Sequence, residues 1–195
     1  SGSAFVFERT GAIWGAPAKL VAGDAAASDG FGVAVAVDGD TALIGAYNDD
    51  DKGSNSGSVY VFVRLGSSWA QQAKLTATDG AASDNFGRAV ALHGGTALVG
   101  APNNDDGASN SGSAYVFVRT GTTWTQQAKL NASEAIASAG LGISVAISGE
   151  SVLVGASRDG SGAVDSGVAD TGAAYVFVRS GTKWAQQARL VAADF

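Results

Sequence analysis

Clusters of aspartate and asparagine recur in this 195-residue chain, and they are the residues best suited to chemistry. Two of the clusters, YNDDDKGSNSGS (47–58) and PNNDDGASNSGS (102–113), align without gaps. Carboxylate and amide oxygens grouped around glycines are what calcium selects, so the carboxylates here are candidate calcium ligands. The candidates are Asp49, Asp50, Asp51, Asp105 and Asp106. Such side chains also hydrogen-bond their own backbone in turns between strands, and we favour this alternative.

Further aspartates lie in related positions. The segment SRDGSGAVDSGVADTG (157–172) is a longer third version of the cluster and carries Asp159, Asp165 and Asp170. Asp29 and Asp84 each stand two residues before a Phe-Gly pair, whereas the third repeat has Ala139 at this place. One repeat can lose a local hydrogen bond at little cost, so we predict that these two aspartates cap turns.

No set of side chains typical of catalysis accompanies these clusters. His93 is the single histidine, it falls in a predicted hairpin turn, and no second histidine or nucleophile pattern accompanies it. The chain has no cysteine, which removes thiolate metal ligands and cysteine nucleophiles. The four tryptophans could stack on sugars, but their fixed repeat position favours packing between repeats. Asn131 begins an Asn-Ala-Ser acceptor sequence for N-glycosylation.

Composition limits the classes of partner. The net charge is −6, and the 12 Lys and Arg residues are scattered, so we expect no nucleic-acid partner. No apolar run approaches the roughly 18 residues that cross a bilayer, so no membrane span is expected. With 46% hydrophobic and 15% charged residues, the chain should fold into a packed core. Loops rich in Asn, Ser, Thr, Gly and Asp, with few lysines, favour an extracellular or cell-surface location.

The elements that position the clusters repeat along the chain. SGSAYVFVRTGTTWTQQAKL (111–130) recurs with few changes at 1–20, 56–75 and 171–190. Phe-Gly and Gly-Ala pairs keep the same period and the same phase. Successive repeats are marked by Trp14, Trp69, Trp124 and Trp184. A fixed phase between several markers is the signature of a structural array.

Each repeat predicts four strands. GVAVAVDGDTALIGA (32–46) is two short apolar runs around a glycine-centred hairpin turn. SVYVFVR (58–64) is apolar on both faces, which indicates a sheet packed between two others. Its faces are Val59, Val61 and Val63 on one side and Tyr60 and Phe62 on the other. WAQQAKL (69–75) predicts an outer edge strand with strict alternation. In that alternation Trp69, Gln71, Ala73 and Leu75 oppose Ala70, Gln72 and Lys74.

Four-stranded antiparallel sheets with two apolar faces, repeated along a chain, predict an all-β β-propeller with the Ala/Val-rich first strand innermost. A β-solenoid is the alternative, but its coils are typically shorter. The chain holds about three and a half blades: a half-blade at 1–22 and blades at about 31–77, 86–132 and 141–192. Such a partial propeller does not close alone. The remaining blades come from a longer polypeptide, which we favour, or from another copy.

With these markers, the chain resembles the FG-GAP repeat family, which also forms the integrin α-subunit head. Phe31-Gly32 and Phe86-Gly87 match the first half of the motif, and Gly100-Ala101-Pro102 matches the second half in full. Gly45-Ala46 and Gly155-Ala156 match it in part, and Leu141-Gly142 replaces Phe-Gly. Integrin-type blades carry a calcium loop between the two halves. Short hairpins fill that interval here, so that calcium site is not expected.

The resemblance and the absence of a catalytic set lead to one function. We expect a non-enzymatic extracellular or surface adhesion module that presents propeller loops to a protein or glycan ligand. One alternative is a segment of a propeller-containing enzyme whose active site lies elsewhere. Another is a structural protein that self-assembles through blade edges.

Overall fold

The computed structural model describes residues 1–160 and 171–192, which form sixteen β-strands and no helix. The strands are β1 (Ala4–Val6), β2 (Arg9–Thr10), β3 (Ile13–Trp14), β4 (Ala18–Leu20), β5 (Val35–Asp38), β6 (Thr41–Ala46), β7 (Ser58–Leu65), β8 (Ser68–Leu75), β9 (Ala89–His93), β10 (Thr96–Ala101), β11 (Ser113–Thr120), β12 (Thr123–Leu130), β13 (Leu141–Ser148), β14 (Ser151–Ala156), β15 (Ala173–Ser180) and β16 (Lys183–Leu190).

The strands form three four-stranded antiparallel blades, each in simple sequence order, from β5 to β8, β9 to β12 and β13 to β16. Ahead of them, β1 pairs with β4 and β2 with β3, which together form the outer half of a blade. The first strands of neighbouring blades lie side by side, whereas the fourth strands diverge. The first strand is therefore innermost. The predicted all-β partial propeller is confirmed, and the described residues do not close a ring.

The third strand is buried on both faces in blades β5–β8 and β9–β12, as predicted, whereas in blade β13–β16 only the face of Tyr175 and Phe177 is buried. We call the face toward the next blade in the chain the forward face and the opposite one the backward face. In blade β5–β8, Val59 and Val61 lie forward and pack on the next blade, while Tyr60 and Phe62 lie backward and pack on the half-blade. This two-sided burial of apolar surface is what joins the blades.

The predicted alternation of the fourth strand is wrong. Phe62 pairs with Gln71 but Val61 pairs with Ala73, so Gln72 is an extra residue that bulges from the ladder. A one-residue bulge exchanges the two faces beyond it. Trp69 therefore packs backward whereas Leu75 packs forward, although the sequence spacing placed them together. The equivalent strands in the next two blades have the same register shift.

The bulge directs a glutamine side chain toward the next blade, where it accepts a hydrogen bond. Gln72 accepts a hydrogen bond from Trp124 Nε1 at 3.2 Å, and Gln127 accepts one from Trp184 Nε1 at 2.9 Å. Trp69 Nε1 is buried and has no acceptor among the described residues. The half-blade has Pro17 at the position of these glutamines. A tryptophan hydrogen bond therefore joins blade β5–β8 to blade β9–β12 and blade β9–β12 to blade β13–β16. The equivalent bond is missing between the half-blade and blade β5–β8.

The two halves of the repeat motif meet between blades. Phe86 is buried with its ring edge-on to Tyr115, at a centroid distance of 5.4 Å. Its neighbour Gly87 lies against Gly45 of the preceding blade, where an added Cβ would stand 2.0 Å from the Gly87 carbonyl oxygen. Gly100 meets the Gly142 carbonyl oxygen in the same way. Close backbone approach between blades therefore requires glycine at the Gly-Ala position.

Candidate functional site

The acidic loops and the links between blades lie at one end of the propeller, because second and fourth strands run in the same direction. We call this end, formed by loops 47–57 and 102–112 and link 76–88, the acidic end. Loop and link are joined by backbone hydrogen bonds, including Ser83 N to Ser54 O at 2.8 Å and Phe86 N to Ser56 O at 2.9 Å. These bonds fix the loops on the rigid blades.

Asp49 is the buried carboxylate of the first acidic loop. Its carboxylate accepts hydrogen bonds from Ser58 Oγ at 2.8 Å and Tyr60 Oη at 3.0 Å. It also accepts the backbone N–H of Asp51 at 3.2 Å. A buried carboxylate needs such donors, because burial without them carries a large desolvation cost.

The ammonium group of Lys74 lies at the centre of three carboxylates. Its Nζ is 2.7 Å from Asp24, 3.0 Å from Asp49 and 2.6 Å from Asp51. Lys74 stands directly across the ladder from Tyr60, so the bulged register delivers it to this face. We call these five residues the lysine-centred cluster.

The three carboxylates of the lysine-centred cluster are also potential ligands of a metal ion. Oxygens of Asp24, Asp49 and Asp51 lie within 4.8 Å of one another, a spacing compatible with shared coordination of one ion. Lys74 Nζ already contacts all three carboxylates, so a divalent cation would have to displace it. The cluster as it stands fits an internal ammonium counter-ion, and we therefore predict that calcium does not bind here while Lys74 is present.

The protonation states follow from this arrangement. Burial and the hydrogen bond to Asp24 raise the pKa of Tyr60 well above its usual range. Partial burial opposes ionisation of Asp24, but the hydrogen bond and charge of Lys74 hold the pKa of Asp24 below its usual range. The same carboxylates outweigh the burial of Lys74 and raise its pKa. The cluster is therefore a set of ion pairs around a neutral tyrosine at neutral pH.

The second repeat has a related but less charged cluster. Lys129 Nζ lies 2.6 Å from Asp79 and also pairs with Asp106. The buried position of Asp49 is occupied by Asn104, which accepts the Ser113 hydroxyl at 2.8 Å. A neutral amide thus replaces the buried carboxylate, so this cluster holds two carboxylates where the first holds three.

The third repeat uses arginine. Asp159 is fully buried, accepts the Tyr175 hydroxyl and pairs with Arg189 through Nη2 at 3.0 Å and Nε at 3.3 Å. Arginine can donate hydrogen bonds to both carboxylate oxygens at once, which compensates the charge of a buried aspartate. Asp165 and Asp170 lie outside the described residues.

The remaining candidates lie in turns. Asp50 accepts the backbone N–H of Asn55 at 2.7 Å, and Asp105 accepts that of Asn110 at 2.6 Å. Both aspartates are exposed. Both asparagines have a positive φ, which Asn tolerates better than most residues. These contacts are the backbone hydrogen bonds of the turn alternative.

The aspartates before the Phe-Gly positions also bind backbone. Asp29 accepts Ala26 N at 2.7 Å, and Asp84 accepts Ala81 N at 3.0 Å. These contacts close the turns of the links, as predicted. His93 is exposed in the β9–β10 hairpin, at the end opposite the acidic end.

Sequence reasoning missed the partners of the acidic loops. Asp24 and Asp79 stand 55 residues apart, as do Lys74 and Lys129, so the repeat period itself carried the signal. Tyr60 was assigned to apolar packing alone. Its hydroxyl reaches the cluster because β7 begins directly after the acidic loop.

The four-stranded blades and the glycine-mediated contacts between them identify the class of this protein: it is a β-propeller repeat protein. The model of the FG-GAP repeat matches residues 14–62, 69–117 and 124–177. These matches cover more than half of the chain, so the chain belongs to the FG-GAP repeat family. A search of curated proteins gave no match. Among the described residues, no helix is long and apolar enough to span a membrane.

Proposed function

We propose that this chain is a non-enzymatic interaction or adhesion module of an extracellular or cell-surface protein. In this proposal the acidic end presents its loops to a protein or glycan ligand. Membership of a repeat family that builds rigid scaffolds supports a module that displays loops. The loop-rich, lysine-poor composition supports the location.

The observation that carries the proposal is the regular display of exposed carboxylates. Asp50 and Asp105 occupy the same place in two turns that lie on neighbouring blades and have the equivalent hydrogen bond. Buried hydrogen bonds of Asp49 and Asn104 hold each turn in position. Rigid loops lose little conformational freedom on binding, so they favour affinity. With a net charge of −6, the ligand best suited to this end has a basic face.

The state of the titratable groups supports a non-enzymatic role. Among the described residues, two of the buried aspartates, Asp49 and Asp159, pair with Lys74 and Arg189. The other two, Asp29 and Asp84, accept backbone N–H groups. Groups fixed in ion pairs around a protonated tyrosine do not form an available acid and base pair. The alternative, an enzyme segment whose active site lies on other blades, is not favoured by any contact at this end.

Binding of the chain to a glycan array and to intact cells tests the proposal. Asp50→Asn combined with Asp105→Asn keeps the turn acceptors but removes two exposed charges, and should weaken binding at least several-fold. Asp38→Asn is the matched control, because Asp38 also accepts a backbone N–H, from Gly94 at 2.7 Å, at the opposite end. Equal loss in both variants, or no binding by the unmodified chain, would contradict the proposal.

A further inference from the structure

The backward face of the half-blade is an apolar surface without a neighbour among the described residues. Phe5 and Phe7 correspond by repeat position to Tyr60 and Phe62. Phe5 is 53% exposed, whereas Tyr60 is completely buried against the preceding half-blade. Trp14, at the position of Trp69, is also exposed. The first end of the array therefore shows the face that every later blade buries.

The forward face of the last blade is also apolar and exposed. It is the kind of face on which the backward face of a following blade packs. Leu190 on β16 corresponds to Leu130, which is 3% exposed because the next blade covers it. Leu190 itself is 51% exposed. Leu153 is exposed as well, although its counterpart Leu98 is fully buried. The second end of the array therefore shows the face that every earlier blade buries.

Inside the chain, these two faces always pack on each other. One leucine of each fourth strand shares an apolar cluster with the third-strand tyrosine of the next blade. The three pairs are Leu20 with Tyr60, Leu75 with Tyr115 and Leu130 with Tyr175. The next pair in this series would be Leu190 with an aromatic residue at the tyrosine position, and Phe5 is the aromatic residue at that position with no neighbour.

We propose that the end faces of two copies of this chain bind each other head to tail. β15 and β16 of one copy pack on β1, β3 and β4 of the next, as fourth and third strands pack within the chain. This association is independent of the ligand binding proposed for the acidic end. It also differs from pairing through open strand edges, because side chains of two sheet faces form the contact.

A polar contact accompanies the apolar one. Gln72 and Gln127 each accept a hydrogen bond from the tryptophan of the next blade. Gln187 is the equivalent residue of the last blade and is exposed, and Trp14 is the exposed tryptophan of the half-blade. Head-to-tail packing brings Trp14 Nε1 to Gln187 in the same way. Phe5 lacks the hydroxyl of the tyrosines, so its burial requires no polar partner.

The symmetry of this contact is testable because the two faces differ. Contacts between unlike faces continue as a chain of copies or close into a ring, whereas contacts between like faces stop at a dimer. Phe5→Asp removes the first face and leaves the second, and Leu190→Asp does the reverse. A mixture of the two variants retains one compatible pair of faces and therefore forms only a dimer of one copy of each.

Sedimentation velocity of the 195-residue chain over a range of concentrations gives the readout. The unmodified chain should show species larger than the monomer that grow with concentration, while each variant alone stays monomeric. An equimolar mixture of the variants should regain association but stop at the mass of a dimer. Leu65→Asp is the control, since Leu65 is exposed in the β7–β8 hairpin away from both faces, and it should assemble like the unmodified chain.

Several outcomes would overturn the proposal. An unmodified chain that stays monomeric at all concentrations has no end-face association. Self-association of either variant alone indicates contact between like faces or another surface. Thermal melting of dilute samples verifies that each variant folds, and Trp14→Ala with Gln187→Ala provides a second pair if an aspartate variant does not fold. That pair should weaken assembly by at least several-fold without changing the monomer melting temperature.

Discussion

Asp49 is a buried carboxylate, and Lys74 is the cation that compensates its charge. Removal of one member of a buried ion pair leaves the other uncompensated, which costs about 3 kcal/mol or more. Lys74→Met should therefore lower the free energy of unfolding by about 3 kcal/mol. Lys129→Met is the matched control. Its loss should be nearer 1 kcal/mol, because the buried neighbour there is neutral Asn104 and the paired carboxylates are half exposed.

Urea unfolding followed by tryptophan fluorescence measures both losses. Equal destabilisation by the two substitutions would show that the buried charge of Asp49 is not compensated mainly by Lys74.

The same variants test whether calcium binds the cluster. The unmodified chain should melt at one temperature with calcium or with a chelator, since an ammonium group lies among the carboxylates. Lys74→Met leaves three converging carboxylates, so calcium should raise its melting temperature.

Tyr175 gives a prediction for alkaline pH. Burial and the hydrogen bond to Asp159 raise the pKa of Tyr175 from 10.0 to about 12. Well below pH 10, this hydroxyl is protonated in both the folded and unfolded states, so its contribution to stability is complete. Between pH 10 and 12, the unfolded chain loses this proton while the folded chain keeps it. The free energy of unfolding should therefore fall as the pH rises through this window.

Urea unfolding at a series of pH values from 8 to 12 on the unmodified chain and on Tyr175→Phe measures this effect. The phenylalanine variant should lose stability less steeply over the upper part of the range. Tyr60, with its raised pKa, and Lys74 act in the same direction, so a slope remains in the variant. Parallel slopes for the two proteins would mean that Tyr175 ionises alike in both states.

At the residue scale, the sequence pointed to the acidic loops but not to the partners of their carboxylates. Asp49 and Asp51 were predicted as candidate calcium ligands, and in the structure their carboxylates converge on Lys74. Their partner Asp24 is 25 residues away, in a link that composition marks only as polar. Strict alternation placed Lys74 opposite Trp69, but the bulge at Gln72 brings both to the backward face. The turn role of Asp50 was predictable, since it depends on residues within the same loop.

At the scale of strands, the glycine of the Gly-Ala pair on the second strand forms a close backbone contact between neighbouring blades. Gly100 lies where a Cβ would stand 1.9 Å from the Gly142 carbonyl oxygen of the next blade. Gly100→Ala must therefore push two blades apart and should cost roughly 2 to 3 kcal/mol. Gly155 is the matched position in the last blade, where the nearest atom is the rotatable Ser144 hydroxyl oxygen at 2.2 Å and the next lies at 3.6 Å.

Gly155→Ala should accordingly cost less than about 1 kcal/mol, as the serine rotates away. Differential scanning calorimetry of both variants gives the comparison. Equal losses would mean that the penalty arises within a strand and not between blades. The strands themselves were predictable from two-residue periodicity, but this contact was not. It joins glycines 42 residues apart whose proximity depends on how blades stack.

The whole molecule is an open series of blades, each packed on its neighbours in the chain. Its stability should therefore vary from one blade to the next. In such arrays each repeat contacts only its neighbours, so a repeat covered on both sides is more stable than one covered on one side. The blade β9–β12 is covered by blades on both faces. The half-blade has cover on one face only, and its strands are two or three residues long. The repeat period predicted this series of blades and that it does not close, whereas the side chains exposed at its two ends follow from how the blades pack.

Hydrogen exchange measured by mass spectrometry should reveal this gradient. In dilute solution, amides of β10 and β11 should exchange most slowly, those of β14 and β15 faster, and those of β1 to β4 fastest. Uniform protection across all blades would instead indicate one cooperative unit. The end faces make the gradient depend on concentration, since a bound neighbour covers β15 and β16 on one copy and β1 and β4 on the next. Raising the concentration should therefore slow exchange at the two ends and leave β10 and β11 unchanged, which separates end-to-end association from a general gain in stability.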